Sequence, residues 1–147
     1  MKNTKLLRYI ITFFNFDTWQ YLWNYWWGVR AMVSRKYERA ICCFDKCLTF
    51  KNAKKTINLV YEHLGKCYFG INDIDKAKIY LMQSVDVNNA ESVNSEVSSR
   101  LGFIFYQEGN FEKAKYYLEK AQRDYKKIDY TNIDAVNKYL IKVRKNN

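Results

Sequence analysis

A glycine-containing pattern that recurs every 37 residues constrains the fold of this sequence more than any other feature. The pairs Trp27-Gly28, Leu64-Gly65 and Leu101-Gly102 are each 37 residues apart. Five further columns keep the same spacing: Ala31, Tyr68 and Phe105; Tyr37, Ile74 and Phe111; Ala40, Ala77 and Ala114; Phe44, Leu81 and Leu118; Cys47, Ser84 and Ala121. A fixed period of this length indicates a small structural unit that stacks on copies of itself.

The residue types in these columns predict that each unit is a pair of antiparallel helices. Glycine in the first helix and alanine in the second remove side chains where the two helices cross, so the helices can approach closely. Neither helix can bury its apolar stripe alone, and each unit must therefore pack on its neighbours. The chain has no proline and only five glycines, which favours helices because β-turns usually depend on both residues.

These residues resemble the tetratricopeptide repeat (TPR), whose pattern is Trp-x2-Leu-Gly-x2-Tyr in the first helix and Ala-x3-Phe in the second. The second copy matches with Tyr61-x2-Leu64-Gly65-x2-Tyr68 and Ala77-x3-Leu81, and the third with Leu101-Gly102-x2-Phe105 and Ala114-x3-Leu118. The first copy departs from the pattern, because Ala31 stands where an aromatic residue is expected. The period also exceeds the family's unit of about 34 residues.

The resemblance implies one all-α domain, an α-solenoid of three antiparallel helical hairpins. We predict an N-terminal arm over residues 1–16, repeats over 17–54, 55–89 and 90–128, and a capping helix over 130–147. Asp17 is expected to cap the first helix, and Thr131 with Asp134 the last. The helices of the third repeat are expected to run from about Ala90 to Gln107 and from Phe111 to Ile128.

Length and composition are those of a single soluble domain with a sizeable core. The chain has 147 residues, of which 48% are hydrophobic and 27% charged. Its net charge of +10 attracts acidic partners: nucleic acid, anionic lipid or an acidic protein. Composition bias and solubility produce the same charge, and we favour that interpretation.

The first sixteen residues combine three basic residues with a run of apolar ones. No small-residue cleavage site follows the run, so it does not match a signal peptide. The run is also too short to span a bilayer, which takes about 20 residues. We predict an amphipathic helix or arm that covers the first repeat. The alternative is a membrane-surface anchor, because Trp19, Trp23, Trp26 and Trp27 follow directly.

The resemblance also implies an inner face, lined by the first helix of each repeat, that binds peptides. The candidate partner-binding residues there are Tyr25, Val29, Met32, Glu62, Lys66, Phe69, Ser99, Phe103, Tyr106 and Gln107. The same helix positions include Leu22, Val33, Leu59, Gly70 and Glu96. Packing against neighbouring helices is the alternative role for any of them. Members of the family that bind two carboxylates do so through a set of clamp residues, and only Lys66 matches that set here. We therefore do not predict binding to such a dicarboxylate ligand.

Cysteine and histidine spacing raises the question of a metal or catalytic site. Cys43 and Cys47 are four residues apart on one predicted helix, and His63 and Cys67 are four apart on the next. Zinc accepts such ligands, but no Cys-x2-Cys spacing supports a site, and free cysteine is a common small core residue. We predict no metal, no cofactor and no catalytic residue. Reduced core thiols are typical of a cytoplasmic protein.

The sequence therefore predicts a non-enzymatic scaffold that binds a protein or peptide partner, with acidic partners favoured by charge. An adaptor, a chaperone or an immunity-type protein that occludes a toxin would have this architecture. The aromatic N-terminal region also suggests a homodimer. The alternative function is binding of nucleic acid or an anionic membrane through the basic surface, although no nucleic-acid motif accompanies the charge.

Overall fold

The computed structural model describes residues 16–50, 56–88, 95–125 and 132–146, and these form seven α-helices with the turns between them. The helices are α1 (Phe16–Val33), α2 (Tyr37–Leu48), α3 (Ile57–Gly70), α4 (Ile74–Asn88), α5 (Ser95–Gln107), α6 (Phe111–Arg123) and α7 (Ile133–Asn146). The described part of the chain contains no strand, and the predicted all-α class is confirmed.

Consecutive helices pair as hairpins, α1 with α2, α3 with α4 and α5 with α6. The second helix of each hairpin then packs on the first helix of the next, and α7 packs on α6 at the end of the row. In addition, α1 touches α3 and α5 touches α7. The first helices therefore lie along one side, as expected for the predicted α-solenoid.

The repeated glycines lie where the two helices of a hairpin cross. A methyl group added to Gly65 would lie 2.6 Å from Leu81 Cγ, and one added to Gly102 would lie 2.6 Å from Leu118 Cγ. In the first hairpin, the same position at Gly28 faces the ring of Phe44. The large residue of the second helix thus occupies the space that glycine leaves open, which explains why the two columns share one period.

The turn inside each hairpin also repeats with the 37-residue period. Arg35, Asn72 and Gly109 occupy equivalent positions and all have positive φ angles, of 57°, 64° and 76°. Only glycine, and less readily asparagine, adopts this left-handed conformation at low cost. After the turn, Asp73 and Asn110 each accept a hydrogen bond from a backbone amide of the following helix, as N-cap residues do.

The core forms two clusters of buried residues that meet in the second hairpin. The first joins α1, α2 and α3 and includes Tyr21, Ala40, Phe44, Cys47, Val60, Leu64 and Cys67. The second joins α4 to α7 and includes Ala77, Leu81, Val97, Leu101, Ile104, Leu118, Val136, Leu140 and Val143. Every hairpin therefore contributes to a core that continues into its neighbour.

The second helix of the third hairpin is shorter than predicted. It ends at Arg123 rather than near Ile128, and the Asp124 amide donates the last helical bond to the Lys120 carbonyl. The first helix of the same hairpin begins at Ser95, and the predicted start near Ala90 lies outside the described residues.

The N-terminal ends of α7 and α1 also differ from the prediction. Asn132 caps α7, because its side-chain oxygen accepts from the Ala135 amide at 3.0 Å, and asparagine is among the best N-cap residues. The predicted cap, Thr131, lies outside the described residues. Asp134 lies in the first turn of that helix. Asp17 similarly lies inside the first turn of α1, where its charge favours the helix dipole.

The predicted N-terminal arm, and with it the question of a membrane anchor, lies mostly outside the described residues, since only Phe16 of it is described. None of the helices that the structure describes combines the length and apolar character that a membrane span requires.

Candidate partner-binding face

The fifteen positions predicted to line the inner face lie on α1, α3 and α5, and we call this surface the first-helix face. At its α1 end, the Tyr25 ring stacks on Tyr21 with 6.0 Å between centroids. The Tyr25 hydroxyl lies 3.0 Å from Nε2 of His63 on α3. Val29 and Met32 are half-buried against the first core cluster. These predicted residues therefore join α1 to α3 as well as facing outward.

His63 lies inside this junction as a neutral imidazole. Burial, with the nearby Lys66 ammonium, lowers its pKa from 6.5 to about 4, although Glu62 and Glu96 act in the opposite direction. Its Nδ1 is buried and has no hydrogen-bond partner among the described residues. A neutral, enclosed ring suits a structural contact better than proton transfer at neutral pH.

Four charged residues form a connected network in the middle of the face. The Lys66 ammonium lies 2.6 Å from the Glu62 carboxylate and 2.6 Å from that of Glu96. Arg100 lies 2.8 Å from the other oxygen of Glu96. All four side chains are at most 23% exposed, so solvent screens them little. Two acids and two bases together carry no net charge.

The network favours the charged form of Glu96 and joins two hairpins. Burial disfavours the charge on Glu96, but Arg100 and Lys66 outweigh it and hold its pKa below 4.5. The Arg100 guanidinium also lies 5.7 Å from the centre of the Phe69 ring. Because Lys66 and Phe69 belong to α3 while Glu96 and Arg100 belong to α5, the network holds the second hairpin to the third.

The α5 end of the face is covered by the last helix. Phe103 and Tyr106 lie 4.8 Å and 5.0 Å from the Tyr139 ring of α7, measured between centroids. Ser99 is buried and donates to the Glu96 carbonyl at 2.9 Å. Gln107, at the end of α5, is exposed. The third repeat therefore offers little free apolar surface on this side.

The exposed apolar part of the face lies on the first two repeats. Leu22 and Leu59 occupy the same position in α1 and α3, and they are 50% and 39% exposed. Val33, at the end of α1, is 75% exposed. The half-buried Tyr25 and Val29 lie on the same helix face. This row of apolar side chains is the part of the face that a partner can reach.

Cysteine and histidine spacing raised a metal or catalytic site only as a question, at Cys43, Cys47, His63 and Cys67. Among the described residues, no group of three His, Cys, Asp or Glu side chains is placed to hold a metal ion. Burial raises the pKa of both Cys47 and Cys67 to about 12, so both side chains are protonated thiols at neutral pH. Cys43 is half-buried and its pKa is also raised by burial.

Two residues of the face were not singled out from the sequence. Arg100 closes the charge network, and Tyr139 covers the aromatic residues of α5. The only sequence signal for Arg100 was its position four residues after Glu96, a spacing that places opposite charges together on a helix. Tyr139 follows from tertiary packing of α7 on α5, which periodicity does not predict.

Comparison with known proteins agrees with this architecture. The sequence matches the family model described as the SusR N-terminal TPR domain over residues 4–130. A solved structure titled the first TPR of Spaghetti (RPAP3) bound to HSP90 peptide SRMEEVD is similar in fold, with a TM-score of 0.65 and 17% sequence identity. That alignment covers 86% of this chain and 92% of the other. No curated protein matches the sequence.

The family model spans all three hairpins, whose crossing glycines, repeated turns and stacked cores carry the repeat. The chain therefore belongs to the tetratricopeptide-repeat family, in the group of the SusR N-terminal TPR domain.

Proposed function

We propose that this chain is a non-enzymatic scaffold that binds a protein or peptide on the first-helix face. Its family membership supports an interaction role, because stacked helical repeats present extended surfaces for partners. The similar solved TPR domain is bound to an HSP90 peptide, which supports a peptide-sized ligand for this fold.

The observation that carries the proposal is the row of exposed apolar residues on α1 and α3. Leu22 and Leu59 are related by one repeat, and both remain substantially exposed although the helix faces beside them are packed. Side chains at a regular spacing on neighbouring helices provide anchor points for a peptide segment. We therefore infer that the partner inserts apolar side chains along this row.

The charge network argues against recognition of a free carboxylate at Lys66. Both ammonium contacts, to Glu62 and Glu96, are 2.6 Å long, and an incoming carboxylate would have to displace one acid while lying close to the other. Removing a partner from a buried ion pair is costly. The acidic preference suggested by the net charge of +10 therefore belongs to the surface outside this face.

Three cellular roles match such a scaffold, and the partner distinguishes them. An adaptor joins two folded proteins, a chaperone holds an unfolded or nascent segment, and an immunity-type protein occludes the active site of a toxin. In each role the apolar row is the contact surface. The cytoplasmic location that the free thiols suggest is part of the same proposal.

The test is capture of partners from the native cell with three matched proteins: wild type, Leu59→Arg and Ile79→Arg. Ile79 lies on α4, a second helix, and is 55% exposed, so its variant places the same charge on another surface. We expect one specific protein to be retained by wild type and Ile79→Arg and lost by Leu59→Arg. Loss from both variants, or from neither, would contradict the proposal.

Salt dependence separates this function from nucleic-acid or membrane binding. Contacts with phosphates release counterions, and their affinity falls steeply as salt rises. An apolar contact at Leu59 is much less sensitive. Capture of nucleic acid or lipid that is lost at high salt and unaffected by Leu59→Arg would favour the basic surface instead.

A further inference from the structure

One side of α1 exposes a contiguous aromatic surface that the first-helix face does not use. We call it the tryptophan face, and it consists of Phe16, Trp19, Trp23, Trp26, Trp27 and Arg30. Its tryptophans are between 40% and 64% exposed, and the Arg30 guanidinium lies 5.5 Å and 5.6 Å from the centres of two of their rings. Isolated exposed apolar residues are ordinary, but a contiguous patch marks an interaction site.

The repeat shows what normally covers this side of a first helix. Trp23 is equivalent to Val60 and Val97, and both valines are fully buried. Val60 belongs to the core cluster that contains residues of α2, and Val97 to the cluster that contains residues of α4. The preceding hairpin therefore covers this column in α3 and α5. Among the described residues, α1 has no preceding hairpin.

The column four residues after Trp23 repeats this relationship. Trp27 is equivalent to Leu64 and Leu101, and both leucines are fully buried. Within the part of the chain that the structure describes, the tryptophan face thus lies at the end of the stack, and its side chains are larger than those at the equivalent positions of the inner repeats. The accessible area of the face can be estimated from its aromatic side chains, each of which can bury about 150–250 Å². The exposed parts of the four tryptophans and Phe16 then amount to roughly 600 Å².

That area is enough for association of two copies. Specific interfaces begin at about 1,200 Å² in total, or about 600 Å² from each partner. Tryptophan and arginine, the residues of this face, are also the residues most enriched at energetically important interface positions. A helix laid against the face would restore the packing that α3 and α5 receive from the hairpin before them.

We propose that a second copy of this chain covers the tryptophan face, with the two α1 helices antiparallel about a two-fold axis at Trp23. The face is self-complementary in this arrangement. Trp19 and Trp27 lie four residues on either side of Trp23, so each faces the other across the axis. Phe16 and Arg30 lie seven residues on either side and are paired in the same way, which is the isologous geometry of a two-fold dimer.

Charge and shape agree with the same arrangement. The two Arg30 side chains would be about 21 Å apart along the helix axis, at 1.5 Å for each of 14 residues, which exceeds the screening length of about 8–10 Å. A cavity of about 520 Å³ lies at the Phe16 end of the face, lined in part by Trp19 and Phe50, and one of about 320 Å³ lies at the Arg30 end. Each offers room for side chains of the partner.

The test is the mass of the chain in solution, measured by sedimentation velocity over a range of concentrations. We expect wild type to reach twice the 17.7 kDa of one chain. Trp23→Arg should weaken association by at least about 30-fold, as expected for an interface hot spot. Tyr116→Arg is the matched control, because this tyrosine is 54% exposed on α6, and it should still dimerise. Circular dichroism checks that both variants remain helical.

Each other result would overturn the proposal in a defined way. A wild-type monomer throughout would exclude a dimer, and a dimer unaffected by Trp23→Arg would place the interface elsewhere. Two further outcomes identify another occupant. Tryptophan fluorescence that becomes accessible to quenchers only when residues 1–15 are removed would assign the face to that segment. Monomers that bind anionic vesicles through Trp23 would assign it to a lipid surface.

Discussion

The pH dependence of stability provides a sharp test of the junction between α1 and α3. His63 is the only histidine in the chain, and its pKa is lowered from 6.5 to about 4 by burial and by the nearby Lys66. The folded protein therefore favours the neutral ring, while the unfolded chain binds a proton at its ordinary pKa. This contribution is fully present above pH 6.5 and is lost as the pH falls toward 4.

The size of the effect follows from these two pKa values. Between pH 7.5 and pH 5, the unfolded chain gains nearly a full proton on His63 and the folded chain gains about a tenth of one. Linkage then lowers the free energy of unfolding by about 2 kcal/mol over this range. Glu96 does not obscure the effect, because its pKa lies below 4.5 and the same contribution is present in every variant compared.

The assay is urea denaturation of wild type and His63→Gln at pH 7.5 and pH 5. Glutamine preserves a hydrogen-bonding group for the Tyr25 hydroxyl, which lies 3.0 Å from Nε2 in wild type, but it does not titrate. We expect wild type to lose about 2 kcal/mol more than the variant between the two pH values. Equal losses would show that the ring titrates normally in the folded protein and would refute the buried junction.

Three further substitutions test the repeat geometry and the charge network by the same denaturation assay. Arg35→Gly should raise the free energy of unfolding by up to about 1 kcal/mol, because glycine accepts the φ of 57° without strain; no change would mean that the turn relaxes in solution. Gly102→Ala should lower it by about 1–2 kcal/mol, since the new methyl group would lie 2.6 Å from Leu118 Cγ and 3.2 Å from the Leu118 backbone nitrogen. Stabilisation there, as helix propensity alone predicts, would contradict the close crossing. Glu96→Gln should cost about 3 kcal/mol, because Lys66 loses one of its two carboxylates in a buried setting; a neutral result would show that the network is solvated.

Much of the fold could be predicted because the repeat is encoded locally and three times. The crossing columns at Gly65 and Gly102 each require a small residue for a steric reason that the sequence displays. The turn positions also repeat every 37 residues, but the positive φ of Arg35 could not be predicted from its residue type, since arginine does not favour that conformation. The indication comes from its equivalence to Asn72 and Gly109.

The partner-binding face was harder to predict because it depends on contacts between hairpins. The helix positions on this face follow from periodicity, yet whether each side chain is free does not. Lys66 has the right position to meet a ligand, but Glu96 from the next hairpin lies 2.6 Å from it. Phe103 likewise packs on Tyr139 of the terminal helix. Both contacts join residues more than 25 positions apart, beyond the reach of local patterns.

Site-specific photo-crosslinking in the native cell tests the central claim most directly. A photoreactive amino acid at position 59, on the first-helix face, is compared with the same amino acid at the exposed position 79 on α4. We expect one crosslinked protein at position 59 and none of that protein at position 79. Equal crosslinking at both positions, or crosslinking of that protein at position 79 alone, would contradict it.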